Sequence, residues 1–234
     1  MGATEPARAL GEDTLQRSRR VLGPDDTTTL LAADALTGAL PSDVEAEAAR
    51  ALGEDTLQRC RRAFGPDHPA TQGADALIVV LVQLGRAEAA RALGEDTLRR
   101  CRRVLGPDHA STLRLATDLS FARVSVGEAG PARALAEATL QRCRQQLGPN
   151  HLTTLLTAAI LVHVLGQLDE AEPAQVLGED TLQRCREVSP DHLVSRLTAA
   201  GPTHAWNGVG RQSRLALRAR PRFSAAAGCS ARST

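Results

Sequence analysis

Apolar and polar residues alternate at helical spacing near the start of the chain. When residues 6–22 are placed on a helix, Leu10, Leu15 and Val21 fall with small residues within an arc of about 140°. The Arg, Asp and Glu residues of the same stretch fall outside this arc. The pattern therefore predicts a helix over about 6–22 with one apolar side and one solvent-facing side.

The sequence at the centre of this predicted helix occurs five times. Gly-Glu-Asp-Thr-Leu-Gln-Arg at 11–17 returns at 53–59 and 178–184, with one substitution at 94–100, and with an Ala-Glu-Ala start at 136–142. Successive copies begin 41 or 42 residues apart. A fixed period in this range is typical of solenoid proteins, in which each repeat is one supersecondary unit.

A stop signal and a second, shorter helix follow each copy. The first four copies end in Gly-Pro, which predicts a C-cap glycine and a helix-breaking proline. An Asp or Asn comes next, then Asp26 or a histidine (His68, His109, His151, His192), which suit the N-cap of another helix. We therefore predict a repeat array over 5–192, made of a lone helix at 6–22 and about four helix pairs.

Small residues recur on the apolar side of the long helices. The centre of each long helix holds a glycine, or an alanine in one copy, which predicts a close approach of a neighbouring helix. One further repeat position holds Cys60, Cys101, Cys143 and Cys185. We expect buried free thiols, because equivalent positions in packed helices lie about 8–10 Å apart and a disulfide needs Cα atoms within about 7 Å.

The histidines suggest a metal site only superficially. Zinc sites are usually announced by two cysteines two to four residues apart, and the sequence has none. We therefore expect the histidines to be cap or loop residues, with no metal and no cofactor. The sequence also lacks residue sets typical of catalytic sites, such as Ser-His-Asp, and has no glycine-rich phosphate-binding loop. It therefore indicates a protein that is not an enzyme.

Composition narrows the classes of partner. All 28 basic residues are Arg, and the formal net charge is only +1, so the whole chain has no field that favours nucleic acid or a membrane. We interpret the Arg runs of the long helices as a solvated face, with a basic ridge for an acidic partner as the alternative. The longest apolar run, 76–82, is too short to span a bilayer, and no signal-peptide pattern opens the chain, which favours a cytoplasmic location.

The last part of the chain differs from the rest. Residues 193–234 contain seven Arg and no acidic residue, and Gly201-Pro202 interrupts the place of the next short helix. We predict a degenerate last repeat followed by a basic, disordered tail. A nucleic-acid-binding tail is the alternative, although Arg without interleaved aromatic residues is a weak sign of it.

The motifs of the repeat resemble a known family. Leu-Gly-Pro-Asp-His, a Thr-Leu three residues on, and the run from Asp169 to Pro173 are similar to the tetratricopeptide repeats of kinesin light chains, and the period fits that subtype. The resemblance implies an all-α, right-handed solenoid of antiparallel helix pairs. It also implies that the shorter helices line a concave face that binds peptides or protein segments. Similar arrays often follow a nucleotide-binding switch domain.

The resemblance also marks candidate binding residues. The family often places paired asparagines on the concave helix just before a leucine, where they hold the backbone of a bound peptide. The matching positions here carry other residues, and those that could contact a partner on the concave face are Asp34, Asp75, Thr117 and Asp118. We predict a non-catalytic scaffold that binds a protein or peptide. The alternative is a detached sensor arm of a switch-type nucleotide-binding regulator, and the near-identity of the copies makes self-association plausible.

Overall fold

The computed structural model describes residues 4–40, 45–65, 67–68 and 75–188. The predicted basic tail therefore lies outside the described residues. The described part is entirely helical and contains nine helices: α1 (Thr4–Val21), α2 (Thr27–Ala39), α3 (Ala46–Phe64), α4 (Asp75–Gln83), α5 (Ala87–Val104), α6 (Ala110–Ser125), α7 (Ala129–Gln146), α8 (Leu152–Gln167) and α9 (Ala171–Val188).

Long and short helices alternate along the chain. The odd-numbered helices have 18 or 19 residues, whereas α2, α6 and α8 have 13 to 16. Each helix packs against the next one in sequence, and each short helix also packs against the following short helix. This arrangement confirms the predicted all-α solenoid of antiparallel helix pairs. Among the described residues, no helix is long and apolar enough to cross a membrane.

The predicted helix ends and helix starts have the expected local geometry. The glycines of the four Gly-Pro pairs have φ between 85° and 93°, a region that other residues avoid. At the start of α2, a carboxylate oxygen of Asp26 accepts a hydrogen bond from the backbone N–H of Thr28. His109 and His151 cap α6 and α8 in the same manner, through Nδ1. These two histidines are therefore helix caps, as predicted.

The core runs along the array as columns of equivalent residues. Cys60, Cys101, Cys143 and Cys185 are between 0% and 3% exposed and carry free thiols, which confirms their predicted burial. Burial raises the pKa of all four thiols, that of Cys101 to about 11. Buried leucines from the short helices pack in the same core clusters as residues of the long helices.

The glycine of the long helix allows the predicted close approach. A Cβ atom built on Gly94 would lie 3.0 Å from Cδ1 of Leu119, on the short helix that follows. At Gly53 it would meet Leu77 at 3.1 Å and Cγ2 of Thr37 at 3.2 Å, so that short helices press on both sides of α3. Side chains larger than alanine have no room at this register.

A row of arginines joins neighbouring repeats. Near the end of each long helix from α3 onward, a guanidinium group reaches the Asp or Asn that follows Gly-Pro in the preceding repeat. We call this contact the arginine clamp; its pairs are Arg59–Asp25 at 3.1 Å, Arg100–Asp67 at 3.4 Å, Arg142–Asp108 at 2.6 Å and Arg184–Asn150 at 3.2 Å. From the sequence we interpreted the arginines of the long helices only as a solvated face or a basic ridge, so their contacts between repeats are a finding of the structure.

Candidate functional site

The exposed sides of α2, α4, α6 and α8 form one continuous surface, which we call the short-helix face. Successive short helices pack directly on each other along it. Asp34 on α2 interacts electrostatically with Arg114 and Asp118 on α6, although α4 lies between these two helices. The short-helix face therefore brings charged groups that lie two repeats apart into electrostatic interaction.

The two carboxyl groups of this surface are difficult to ionise. Asp34 and Asp118 are both half-buried. Burial raises the pKa of Asp34 to about 6, although the positive charge of Arg114 opposes the shift. Burial raises the pKa of Asp118 to about 7, and here the charge of Asp34 adds to the effect while Arg114 again opposes it. Near neutral pH the two groups therefore lie within reach of both protonation states.

Arg114 completes this cluster, and sequence reasoning did not identify it. It lies one helical turn before Asp118 on α6, and its side chain is exposed. Its position in the repeat is occupied by Leu31 on α2 and Leu156 on α8, so no repeated motif marks it. Its charge nevertheless acts on Asp34 of α2, two repeats away.

Thr117 has a different role from the one predicted. Its side chain is 2% exposed and lies inside the contact between α6 and α8, so a partner on the short-helix face cannot reach it. Its Oγ1 donates to the carbonyl of Leu113 at 2.9 Å and lies 2.7 Å from Oγ1 of Thr157. The predicted partner contact at Thr117 is therefore replaced by a structural hydrogen bond. Asp75 is the first residue of α4 as described, and its side chain lies outside the described part.

The α8 end of the short-helix face is mainly apolar. Leu156, Ala159 and Ile160 are partly buried there and leave part of their surface in contact with solvent. His163 follows one turn later, and burial lowers the pKa of its ring. Nε2 of His163 lies 3.2 Å from the side-chain amide of Gln167, which suits a neutral ring that accepts a hydrogen bond. No motif in the sequence marks His163.

The surface thus combines an acidic half and an apolar half. Within the described ranges, no three His, Cys, Asp or Glu side chains converge on a point where they could hold a metal ion. Among the described side chains, the acidic half includes the carboxyl groups of Asp34 and Asp118 and the guanidinium group of Arg114.

The sequence was compared with protein families. The family model described as a tetratricopeptide repeat matches residues 1–27, 45–70 and 79–111. These three segments are therefore tetratricopeptide repeats, and each contains one long helix, namely α1, α3 or α5. The repeat predicted from the sequence is therefore confirmed.

Solved structures show the same fold. BtubC (BKLC) from P. vanneervenii matches with a TM-score of 0.64 at 16% identity, over 99% of this chain and 100% of that chain. A candidate kinesin light chain from Podosopora anserina, with nearly identical TPR-like repeats, matches with a TM-score of 0.57 at 19% identity, over 80% of this chain and 90% of that chain. The chain therefore has the fold of the tetratricopeptide repeats of the kinesin-light-chain type. No curated protein matches the sequence.

Proposed function

We propose that this protein is a non-catalytic scaffold that binds a peptide or protein segment on the short-helix face. Tetratricopeptide repeats generally mediate protein–protein interaction, and proteins built from them are typically not enzymes. The observation that carries the proposal is the meeting of Asp34, Asp118 and Arg114 from different repeats on one surface. A bound segment that places a Lys or Arg side chain there would touch α2 and α6 at once.

The partner's chemistry follows from the cost of ionising these carboxyl groups. A cation placed between Asp34 and Asp118 would stabilise their charged forms and lower both pKa values. The apolar residues at the α8 end would bury aliphatic side chains of the same segment, which supplies the area that binding needs. We therefore propose a segment with a basic residue and, some residues away, one or two apolar residues.

The proposal can be tested with a peptide library. The full chain is used to select peptides from a random display library, and the affinities of the selected peptides are then measured by fluorescence anisotropy at pH 8. We expect basic residues to be enriched, and we expect the double variant Asp34→Asn/Asp118→Asn to bind the peptides at least about tenfold more weakly, since close charge pairs contribute roughly 1.5 kcal/mol or more.

The matched control removes a carboxylate from elsewhere on the surface. Glu172→Gln changes an exposed residue in the first turn of α9, and we expect it to leave the affinities unchanged. If the double variant binds the selected peptides as well as the wild type does, the short-helix face is not the binding surface.

Two finer predictions from the sequence stay predictions. These are the cytoplasmic location and the alternative role as a detached regulatory arm of a nucleotide-binding switch. Both concern the cellular setting of the protein, and the geometry of the short-helix face is compatible with either setting.

A further inference from the structure

One long helix lacks an acidic residue that the other four carry. The third residue of the repeated stretch is an aspartate in α1, α3, α5 and α9 (Asp13, Asp55, Asp96, Asp180). In α7 the same position holds Ala138. This helix therefore has no carboxyl group at a place where every other copy has one.

Where the aspartate is present, it pairs with arginines of two different helices. Within α9, Asp180 accepts a hydrogen bond from Nε of Arg184 at 3.0 Å. Nη2 of Arg144, near the end of the preceding long helix, lies 3.9 Å from Oδ2 of Asp180. The equivalent pair one repeat position earlier behaves alike, since the charge of Arg61 on α3 acts on Asp96 of α5. The aspartate thus offsets positive charge on its own helix and on the long helix before it.

At α7 the corresponding arginines are present without this carboxyl group. By register, Arg142 of α7 is the equivalent of Arg184, and Arg102 of α5 is the equivalent of Arg144. Arg142 keeps its contact with Asp108 at 2.6 Å, which is one pair of the arginine clamp. Within the described ranges, no carboxylate lies within ion-pair distance of Arg102. The two guanidinium groups therefore have one carboxylate between them.

A cavity lies at this place, and we call it the α5–α7 cavity. Its volume is about 350 Å³, and its lining includes Arg102, Arg142, Ala138, Pro107 and Thr112. Among its described lining residues, none is acidic. Ligand pockets in proteins have volumes of about 300–1,000 Å³, so the cavity has room for a small ligand or for one side chain.

The next cavity along the array shows that charge, and not space, is what sets this one apart. It lies between α7 and α9, has a volume of about 690 Å³, and is lined by Arg144 together with Asp180 and Glu172. The arginine of that cavity therefore has carboxylates of the chain beside it, whereas Arg102 in the α5–α7 cavity has none within ion-pair distance among the described residues.

We propose that the α5–α7 cavity binds a carboxylate group, which takes the place that aspartate holds in the other copies. The planar guanidinium groups of Arg102 and Arg142 donate hydrogen bonds to it, an arrangement that matches the geometry of a carboxylate. Either a free small acid or an acidic side chain of a peptide supplies this chemistry. The cavity shares no residue with the cluster of Asp34, Asp118 and Arg114, so this site is separate from the short-helix face.

The test is an NMR titration of the full, isotopically labelled chain. One arm adds sodium glutarate, and the other adds the blocked peptide acetyl-Ala-Glu-Ala-amide, with acetyl-Ala-Gln-Ala-amide and sodium chloride at equal ionic strength as controls. We expect saturable shifts of the backbone amides of Arg102, Ala138 and Thr139 with glutarate, with the Glu peptide or with both, and which arm responds identifies the source of the carboxylate. A wild type without saturable shifts in either arm would overturn the proposal.

Two variants and a matched control locate the binding. Ala138→Asp supplies the carboxylate from within the chain, and it should fold, because the same residue stands there in the other four copies. We expect Ala138→Asp and Arg102→Gln each to weaken binding at least about tenfold, which is the size of a lost hydrogen bond to a charged group. Arg62→Gln, at an exposed arginine of α3, should bind like the wild type.

Circular dichroism of each variant checks that its helices are retained. Undiminished binding by Ala138→Asp would show that the place of the missing aspartate is not the site. Shifts of similar size near the arginines of all the long helices would indicate unspecific attraction of anions, and this result would also refute a built site.

Discussion

The carboxyl groups of Asp34 and Asp118 influence each other although 84 residues separate them in sequence. Their unusual pKa values come from burial, so the same residues at an exposed repeat position would titrate as ordinary carboxyl groups. The consequence at the scale of the residue is that the fold carries an electrostatic cost that depends on pH.

We expect Asp118→Asn to stabilise the protein increasingly as the pH rises from 4 to 7. The folded-state pKa of Asp118, about 7, is raised above the ordinary value of 3.8, so the folded state binds the proton more tightly than the unfolded state does. The stability that this proton contributes is complete below pH 4 and is lost as the pH rises through 7. Because the side chain is only half-buried, we expect a gain of about 1–2 kcal/mol at pH 8, measured by urea unfolding at several pH values.

The exposed Glu172 provides the comparison for this series. Glu172→Gln removes a carboxyl group from the first turn of α9, where the side chain is exposed. It therefore shows the effect of losing a carboxyl group that is not buried. A difference between Asp118→Asn and the wild type that stays constant from pH 4 to 8 would show that the Asp118 side chain is solvated in the fold.

The sequence could locate this site only in part, for a reason that belongs to individual residues. Register in the repeat placed Asp34, Thr117 and Asp118 on the right helices. It could not separate Thr117 from Asp118, since one step along a helix turns a side chain by about 100° and takes it from the interface between helices to the surface. Arg114 was missed because its interaction with Asp34 joins residues two repeats apart, which no local pattern in the sequence marks.

At the scale of the element, the sequence was most informative about the helices and about where each helix begins and ends. Gly-Pro stops and caps such as Asp26 act over a few residues, so local chemistry decides them. The arginine clamp escaped prediction because its donor and acceptor are 33 or 34 residues apart, and because an Asp one turn earlier already gives most of these arginines a partner within the same helix.

The turn after α8 has an Asp where the equivalent turns have Gly, and the effect of this difference on stability can be tested. Gly85 and Gly127 end α4 and α6 with φ of 71° and 86°, and Asp169 has φ of 58° at the same register. A left-handed conformation costs a residue with a Cβ atom roughly 1–2 kcal/mol, of which Asp recovers a part through local hydrogen bonds. We expect Asp169→Gly to raise the free energy of unfolding by about 0.5–1 kcal/mol in urea denaturation.

A second substitution at this turn serves as its control. Asp169→Ala keeps the Cβ atom and removes the polar side chain, so we expect it to lower the stability. If Asp169→Gly is no more stable than the wild type, the backbone of this turn is not strained by Asp169.

At the scale of the whole molecule, the described helices pack mainly on their neighbours along the array, so the stability of each repeat depends on its own interfaces. Residues buried in α6 outnumber those buried in α1, where Leu15 is the one apolar side chain buried among those described. The fold class followed from the period of the sequence, whereas this gradient depends on which helix faces are covered.

Hydrogen exchange should report the gradient directly. With the wild-type protein at low concentration, we expect the amides of α1 to exchange fastest and those of α6 and α8 to exchange slowest. Mass spectrometry of peptic fragments resolves the individual helices. Equal protection of α1 and α6 would mean that the array opens as one cooperative unit.

The column of buried cysteines gives the protein a set of built-in chemical reporters. Cys60, Cys101, Cys143 and Cys185 come from four different long helices, and each thiol is buried. With a thiol pKa of about 11, Cys101 holds only about one thiolate in a thousand molecules at pH 8, and its burial excludes reagents from the sulfur. Alkylation of each cysteine would therefore time the local opening of the packing around one particular long helix, with no probe added to the chain.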